Sequence, residues 1–499
     1  MRPEPSQAIL AYRKIFDSRT PDEVGELAQT KRFMEKISGD PKFRQALKDS
    51  NGDYRSVTAA HGIDIDIDPM LALPLFVNTH FKYRFENADD RWPIAKRWDR
   101  YMSEMIANRD MIREEGEAAE VNPRFHAWRQ RQIARGLSEL GGSAQAITHP
   151  ILSYELSDGC TVGCWFCGIS ADRFKAFAKY DDVRDLWRGV LQVGVDLFGQ
   201  ATQTGFCYWA TDPSDNPDYD KFILDHYETT GALPQTTTAA PLKDVALTRR
   251  IMALFAKYRS VTNRFSVVNL KMLERIHATF TADELMGVEL VLQNRESLTT
   301  KASAGRAAEY KAKQLAAGKS GKIAEIEMDH STIACVSGFL VNMVNKTVRL
   351  VSPTRAGERW PLGYRVYAEE SFSTPEEFRA VLNKMIDDWM PEQLHGTHVL
   401  RFRPDLAYHR YPDGFELVGH GYKHVVRGLD GAGLLGDAIH KGNKTAGEIC
   451  EMAVRAGGDI FVVTDALSQF FEQSFFDDDP KYGTISPVPE EAEDAAAVA

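Results

Sequence analysis

Cysteine is scarce in this chain: six residues in 499, at positions 160, 164, 167, 207, 335 and 450. So few thiols cannot build a disulfide framework for a protein of this length, and a reducing compartment is expected. Long apolar runs are missing too, and nothing approaches the roughly 20 residues that a helix needs to cross a bilayer. The opening residues Met1-Arg2-Pro3-Glu4-Pro5 lack the apolar stretch of a signal peptide. A cytoplasmic protein with no membrane partner is therefore expected. Positive charge is also in deficit, the formal net charge being -11. Neutralising phosphates needs a clustered basic surface, so no nucleic-acid partner is expected. The 43% apolar and 26% charged residues are ordinary for a globular chain, and the length suffices for several domains, each with its own core.

The few thiols are unevenly placed. Cys160, Cys164 and Cys167 fall within eight residues of the stretch Ser157-Asp158-Gly159-Cys160-Thr161-Val162-Gly163-Cys164-Trp165-Phe166-Cys167-Gly168. A loop this tight can present three thiolates to three corners of an iron-sulfur cube, which normally takes four, so one iron stays open. A structural zinc knuckle is the plainer alternative. Zinc wants four closed ligands, however, and no second C-x2-C or paired His follows at a suitable distance.

The C-x3-C-x2-C spacing, with Phe166 just before the third cysteine, resembles the radical SAM superfamily. That resemblance implies a [4Fe-4S] cluster on Cys160, Cys164 and Cys167. It also implies S-adenosylmethionine on the open iron, a 5′-deoxyadenosyl radical after one-electron cleavage, and an external electron donor such as flavodoxin or ferredoxin.

Along the chain, Thr20 to about Pro69 has a helical pattern, with Pro21 in a first turn, apolar Leu27, Phe33 and Ile37, a break at Ser38-Gly39 and a new start at Asp40-Pro41. Through His61-Gly62-Ile63 this part resembles the helical leader of nitrile-hydratase-like and nif-type peptide precursors. Asp64, Asp66 and Asp68 imitate a calcium loop, but its glycine is missing and Leu75 stands where the twelfth-position Glu belongs, so a solvated strand face is expected. Further helices are expected to about residue 140, with His80, His126 and Trp128 as packing and surface residues.

From Ile151 the alternation of Leu152, Tyr154 and Leu156 with polar residues predicts a strand ending at the cysteine loop. Further strands are predicted at Thr204 to Trp209, Gln235 to Ala240, Asn263 to Val267, Val288 to Gln293 and within Thr332 to Val341. Helices alternate with them, at 182–198, 244–258, 271–279 and 303–317. Six such units resemble the superfamily's partial (β/α)6 barrel. In that family the second strand ends in a Gly-Gly-Glu-Pro-like turn that holds the methionine ammonium, and Ala210-Thr211-Asp212-Pro213 looks like its counterpart. Ser266 and Asn269, after the fourth strand, are candidates for the SAM ribose or carboxylate and equally for ordinary turn residues.

After a helix at 375–390 the pattern changes. Strands flanking Tyr411-Pro412-Asp413-Gly414 form a hairpin signal, and three short helices follow, one opened by a Thr445/Glu448 capping box. This resembles the winged-helix leader-recognition element of ribosomal-peptide maturation enzymes, which binds a precursor peptide as an added strand. The tail from Asp477 to Ala499, acidic and low in large apolar residues, is expected to be disordered. The expected fold is thus α/β: a helical leader-like region (1–80), a helical extension (81–145), the partial barrel (146–370), a linking helix (371–396), a winged-helix-like α+β module (397–476) and the tail.

Outside the triad three cysteines remain, too few for a second conventional cluster, and no Asp-x-His-x-x-Gly cobalamin segment is found. The stretch Asp329-His330-Ser331-Thr332-Ile333-Ala334-Cys335-Val336-Ser337-Gly338-Phe339, with Ser303-Ala304-Gly305-Arg306 before it and Arg359-Trp360-Pro361-Leu362-Gly363-Tyr364 after it, resembles the radical SAM peptide epimerases of proteusin-type natural products. The resemblance implies an isomerase that takes an α-hydrogen from L-residues of a ribosomally made precursor, both leader and core being bound, and returns hydrogen from Cys335 to give D-residues. Hydrogen donation needs a neutral thiol, which apolar neighbours such as Ala334 and Val336 favour. Cys207 is the second candidate, and Cys450 is read as a helix core residue. Two alternatives stay open: another radical SAM peptide modification without an auxiliary cluster, and a leader-binding maturation protein that has lost catalysis.

Overall fold

The structure, a computed structural model, describes residues 2–63, 69–77, 92–299, 301–318 and 332–480. The Asp64, Asp66 and Asp68 alternation, His80, the stretch Asp329 to Ser331 and the tail from 481 onward lie outside the described residues. Within them the chain is a mixed α/β molecule of helices and several small sheets.

The N-terminal helices begin where the sequence carries caps. Thr20 and Glu23 close a capping box at the helix Pro21–Gly39, and the Asp40 carboxylate accepts from the N–H groups of Lys42 and Phe43 at the helix Pro41–Asp49. Their apolar faces meet in a core that includes Phe33, Ile37, Phe43, Trp98 and Tyr101. The Asn294 side chain donates to the Gly39 carbonyl at 2.9 Å, and a Cβ on Gly39 would lie 2.8 Å from Leu273. This layer therefore sits directly on the sheet that follows.

That sheet grows from strands β1 (Leu152–Glu155), β4 (Thr237–Thr238), β5 (Asn263–Val267) and β6 (Val288–Leu292), with the small β2 (Ser157–Asp158) and β3 (Ala176–Phe177) bracketing the cysteine loop. β4, β5 and β6 pair in parallel, and Phe206 bridges β1 at Ser153 to the β4 end at Gln235, also in parallel. On β5 and β6, Phe265, Val267, Val288, Leu290 and Leu292 turn toward the helix side, where Leu273 and Ile276 close a core. Arg264, Ser266 and Glu289 consequently face the other way.

Two predicted strands come out differently. Thr204 to Trp209 pairs at Phe206 alone, because the turn of 3-10 helix Gly199–Thr204 consumes its start. The stretch from Thr332 becomes strand only at β7 (Gly338–Asn342), which pairs in parallel with β1 and leads into antiparallel β8 (Thr347–Pro353) and β9 (Tyr364–Ser371). The Thr332 hydroxyl donates to the Gly363 carbonyl at 2.8 Å and accepts from Ala334 N–H at 2.9 Å. A side chain has taken the place of a ladder partner there, so Cys335 lies on an irregular segment.

The C-terminal part joins a three-stranded antiparallel meander, β11 (Ala407–Tyr411), β12 (Gly414–Val418) and β13 (Lys423–Arg427), to a short pair, β10 (Val399–Leu400) with β14 (Lys444–Thr445). Helices Ala432–Lys441, Ala446–Arg455 and Ile460–Glu472 cover it, the second opened by the Thr445/Glu448 capping box. Phe415, Leu417, Leu435, Ile439, Ile449 and Phe470 form its core.

A buried charge network ties this part to the helix Pro123–Leu140 and to β9. Arg135 bonds Glu139 at 2.8 Å and Asp479 at 2.7 Å, Arg365 bonds Asp479 at 2.8 Å and also Glu139, and Asp478 meets Arg135. Arg403 reaches Ser138 Oγ at 2.9 Å. The acidic run is thus packed in its first residues: Asp479 keeps only 7% of its side-chain exposure, where composition alone assigned a disordered tail.

Arg135 and Arg365 hold the Glu139 and Asp479 carboxyls below their ordinary range, against the opposing effect of burial. Depressed carboxyls stabilise the fold above their unfolded pKa and lose that contribution as pH falls, here below about pH 4. Asp479→Asn should therefore cost about 3 kcal/mol at neutral pH and should flatten the acid limb of the stability profile. Urea denaturation of both proteins at neutral and acid pH checks this; parallel acid limbs would count against the network.

Candidate functional site

The cysteine loop leaves the C-terminal end of β1 with no ladder of its own, so its backbone and thiols find partners elsewhere. Cys160 N–H donates to the Asp172 carbonyl at 2.9 Å. Cys160 Sγ accepts from Val162 N–H at 3.4 Å, and Cys167 Sγ from Ala171 N–H at 3.3 Å. Thr161 is pinned through both its N–H (2.9 Å) and its hydroxyl (2.6 Å) by Asp215, a fully buried carboxylate that Lys243 also meets at 2.5 Å. Burial raises the thiol pKa of Cys160 to about 11 and of Cys164 to about 12. The neighbouring thiolates and Asp212 add to the rise at Cys164, while Arg306 opposes it.

Among the described residues no three His, Cys, Asp or Glu side chains converge on one metal position. A cube asks for something else, one thiolate on each of three irons around its perimeter. Three part-exposed cysteines in one loop, two of them already accepting N–H bonds at sulfur, suit that donor set.

The helix Gly305–Ala316 closes the loop from the far side. Arg306 donates from its backbone to the Cys167 carbonyl (3.0 Å) and from its guanidinium to the carbonyls of Cys164 (3.2 Å) and Ala171 (2.7 Å). Trp165 stacks toward Tyr310 of the same helix, ring centroids 5.0 Å apart. Its neighbour Phe166 is half-buried, in edge contact with Trp165 at 5.7 Å.

Cys335 comes to this loop as well. A Cβ on Gly168 would lie 2.7 Å from Ile333, two residues before Cys335. Cys335, Cys167, Tyr208 and Ala210 all pack around one apolar cluster that includes Ile169, Phe206, Trp209 and Ala334. Burial raises the Cys335 pKa to about 12, against the lowering effect of Arg264, so the thiol is neutral at physiological pH. Cys207 lies elsewhere, in the helix-side core beside Tyr219, and Cys450 packs against the C-terminal core.

Asp212 is buried and its oxygens are already engaged, by Ser214 N–H (2.9 Å), Thr238 hydroxyl (2.8 Å) and Ala239 N–H (2.7 Å). It stitches the turn after Phe206 to the end of β4. Thr211 is half-buried, and Ala210 N–H is held by Glu155 Oε1 at 2.9 Å. Ser266 sits half-buried on β5, and Asn269 caps the helix Leu270–Thr279 by accepting from Met272 N–H at 2.9 Å. Asn269 also lines a cavity of about 460 Å³ with Val162 of the cysteine loop, Lys243, Lys271, Met272 and Arg275. That volume falls in the range of small-molecule sites.

Asp215, Glu155 and Arg306 were not legible as site residues. Each acts on the backbone of a distant segment; the hints were the position of Asp215 just after the Asp-Pro turn and that of Arg306 in the stretch Ser303-Ala304-Gly305-Arg306, and neither gave a role.

Against known proteins, the chain is 47% identical over 470 residues, 94% of its length and 90% of the relative's, to uncharacterized protein y4wI of Sinorhizobium fredii (strain NBRC 101917 / NGR234). The chain belongs to the y4wI family. The y4wI C-terminal domain family matches residues 400–473 of this y4wI-family chain, inside the part built from β10 to β14 and the last three helices. The crystal structure of BtrN in complex with AdoMet and 2-DOIA is similar over 28% of this chain and 56% of that one, at 14% identity and a TM-score of 0.22. So partial a likeness carries no statement about the site.

Asp215→Ala would leave Thr161 N–H and Lys243 without their shared acceptor. It should lower stability by about 2 kcal/mol and open the loop to protease ahead of the rest of the molecule. Thermal melts with limited proteolysis read both, and a loop that stays resistant would show that Asp215 does not hold it.

Proposed function

We propose that this chain is a radical SAM enzyme that converts L-residues of a ribosomally made precursor peptide to D-residues. The observation that carries the reading is the seating of the Cys335 segment on the end of the cysteine loop, Ile333 against Gly168. Cys160, Cys164 and Cys167 would hold the [4Fe-4S] cluster, with Phe166 beside it. The 460 Å³ cavity past Val162, lined by Asn269, would take S-adenosylmethionine; Ser266 on β5 and the turn Ala210, Thr211 and Asp212, whose last member bonds the cavity-lining Ala239, are the further candidates to hold it. Bound there, the pair supplies a carbon radical able to take an α-hydrogen.

The chain's own residues do the rest. The planar substrate radical takes its hydrogen from whichever face meets a donor, and Cys335 holds an S–H on the loop's apolar side. Giving that hydrogen forms the new C–H bond and leaves a thiyl. One electron from a flavodoxin- or ferredoxin-like donor and one proton from solvent restore the thiol. A neutral thiol is required, since a thiolate has no hydrogen atom to give, and burial of Cys335 secures it.

In this reading the parallel series from β7 and β1 through Phe206 to β4, β5 and β6 is the partial (β/α)6 barrel. Its sixth strand lies beside the first. The C-terminal part is the winged-helix-like module. Among the described residues its outer strand β13 pairs with β12 on one side only, an edge suited to strand addition by a leader peptide.

Anaerobic reconstitution should give about four irons per chain, and Cys160→Ala, Cys164→Ala and Cys167→Ala together should abolish iron binding. Wild-type protein that takes up no iron-sulfur cluster, or about eight irons, would end the single-cluster reading.

In deuterated water each inverted residue should gain one deuterium, raising the product mass by about one unit through thiol exchange. Cys335→Ala should form deoxyadenosine yet complete no inversion. Labelled D-residues from that variant at the wild-type rate would remove Cys335 as donor.

A further inference from the structure

Arg306 is half-buried, and among the described residues no carboxylate forms an ion pair with it. Its donors go instead to three carbonyls of one loop: the backbone N–H to Cys167, one guanidinium nitrogen to Cys164 and the other to Ala171, at 3.0, 3.2 and 2.7 Å. A planar fork spanning two fixed carbonyls sets a distance as well as a charge. The residue before it is fixed too. Gly305 has φ +48, its N–H donates to the Pro361 carbonyl at 3.0 Å, and a Cβ there would meet the Gly168 carbonyl and lie 2.7 Å from Ser170 Oγ. Gly168 in turn touches Ile333. The helix start, the end of the cysteine loop and the segment carrying Cys335 are therefore packed with no room for side chains between them.

We propose that Arg306 is the positioning residue that presets the cysteine loop for its cluster and, through Gly168, fixes the seat of Cys335 relative to the triad. The inference rests on the radical SAM reading for its cluster but not for its clamp. Trp165, caged by Tyr310 and Arg295 (5.0 and 5.5 Å), gives the same helix a second grip on the loop. Loss of Arg306 therefore loosens the loop without releasing it altogether.

The test compares full-length wild type with Arg306→Lys, which keeps the charge and loses the fork, and with Arg306→Gln, which keeps planar donors and loses the charge. Melting curves first establish that each variant folds. After anaerobic reconstitution, transfer of iron to a chelator should run about 10- to 100-fold faster in Arg306→Lys, with a broadened EPR signal of the reduced cluster. Separately, in protein carrying no cluster, iodoacetamide should alkylate Cys164 and Cys335 faster in both variants than in wild type. Chelator and alkylation rates equal to wild type in a folded Arg306→Lys protein overturn the proposal. A wild type that takes up no cluster defeats the radical SAM reading instead, and alkylation alone then decides the clamp.

Discussion

The loop that carries three thiols within eight residues has almost no regular hydrogen bonding of its own, and the elements around it are arranged to supply what it lacks. Several of its N–H and C=O groups are satisfied from outside the loop. Asp215 supplies the acceptor at one end and Arg306 the donors at the other. Both are charged groups bonded to neutral backbone, the stronger class of hydrogen bond, and neither asks the loop to change shape. The protein grips the loop largely by its main chain and leaves its three thiols part-exposed.

The second constraint is the cost of burying charge. Arg135, Glu139, Arg365 and Asp479 would each be expensive alone, and together they neutralise one another where the helix Pro123–Leu140, β9 and the residues after the last helix meet. Such a cluster adds little net stability over an apolar contact but admits only one arrangement of its members, and Arg403 extends it into the C-terminal part. A close backbone contact between Gly141 and Gly421 completes the seat, for a Cβ on Gly421 would strike Gly141.

Most of the regular structure was readable because local chemistry and tertiary context agree. Thr20, Asp40 and Thr445 announce helix starts that occur where expected, and of the strands expected at Asn263 to Val267 and Val288 to Gln293 the first has its stated bounds and the second ends one residue early, at Leu292. The readings that differ are those where a side chain or a distant charge displaces the local preference. β-branched Thr332 and Ile333 suggest strand, yet the Thr332 hydroxyl turns the chain. The acidic run at Asp477 suggests disorder, yet two arginines far back in the sequence wait for it. The three cysteines stand out in the sequence by their spacing. The supports of their loop do not: Asp215 carries no spacing signature, and Arg306, though it ends the stretch Ser303-Ala304-Gly305-Arg306, shows its role only by what it touches.

The two ends of the strand series, β6 and β9, are finished differently. β6 ends the parallel series and would offer an unpaired ladder, but the helix Pro21–Gly39 lies over it, with Gly39 against Leu292 and Leu298 N–H bonded to Ser38. At the opposite end, among the described residues, β9 pairs with β8 alone, and it carries Glu369 and Glu370, each paired with a basic side chain. One edge is covered and the other is charged, two separate ways of refusing a foreign strand. The helix Pro21–Gly39 thus shields one end of the strand series as well as closing its own core.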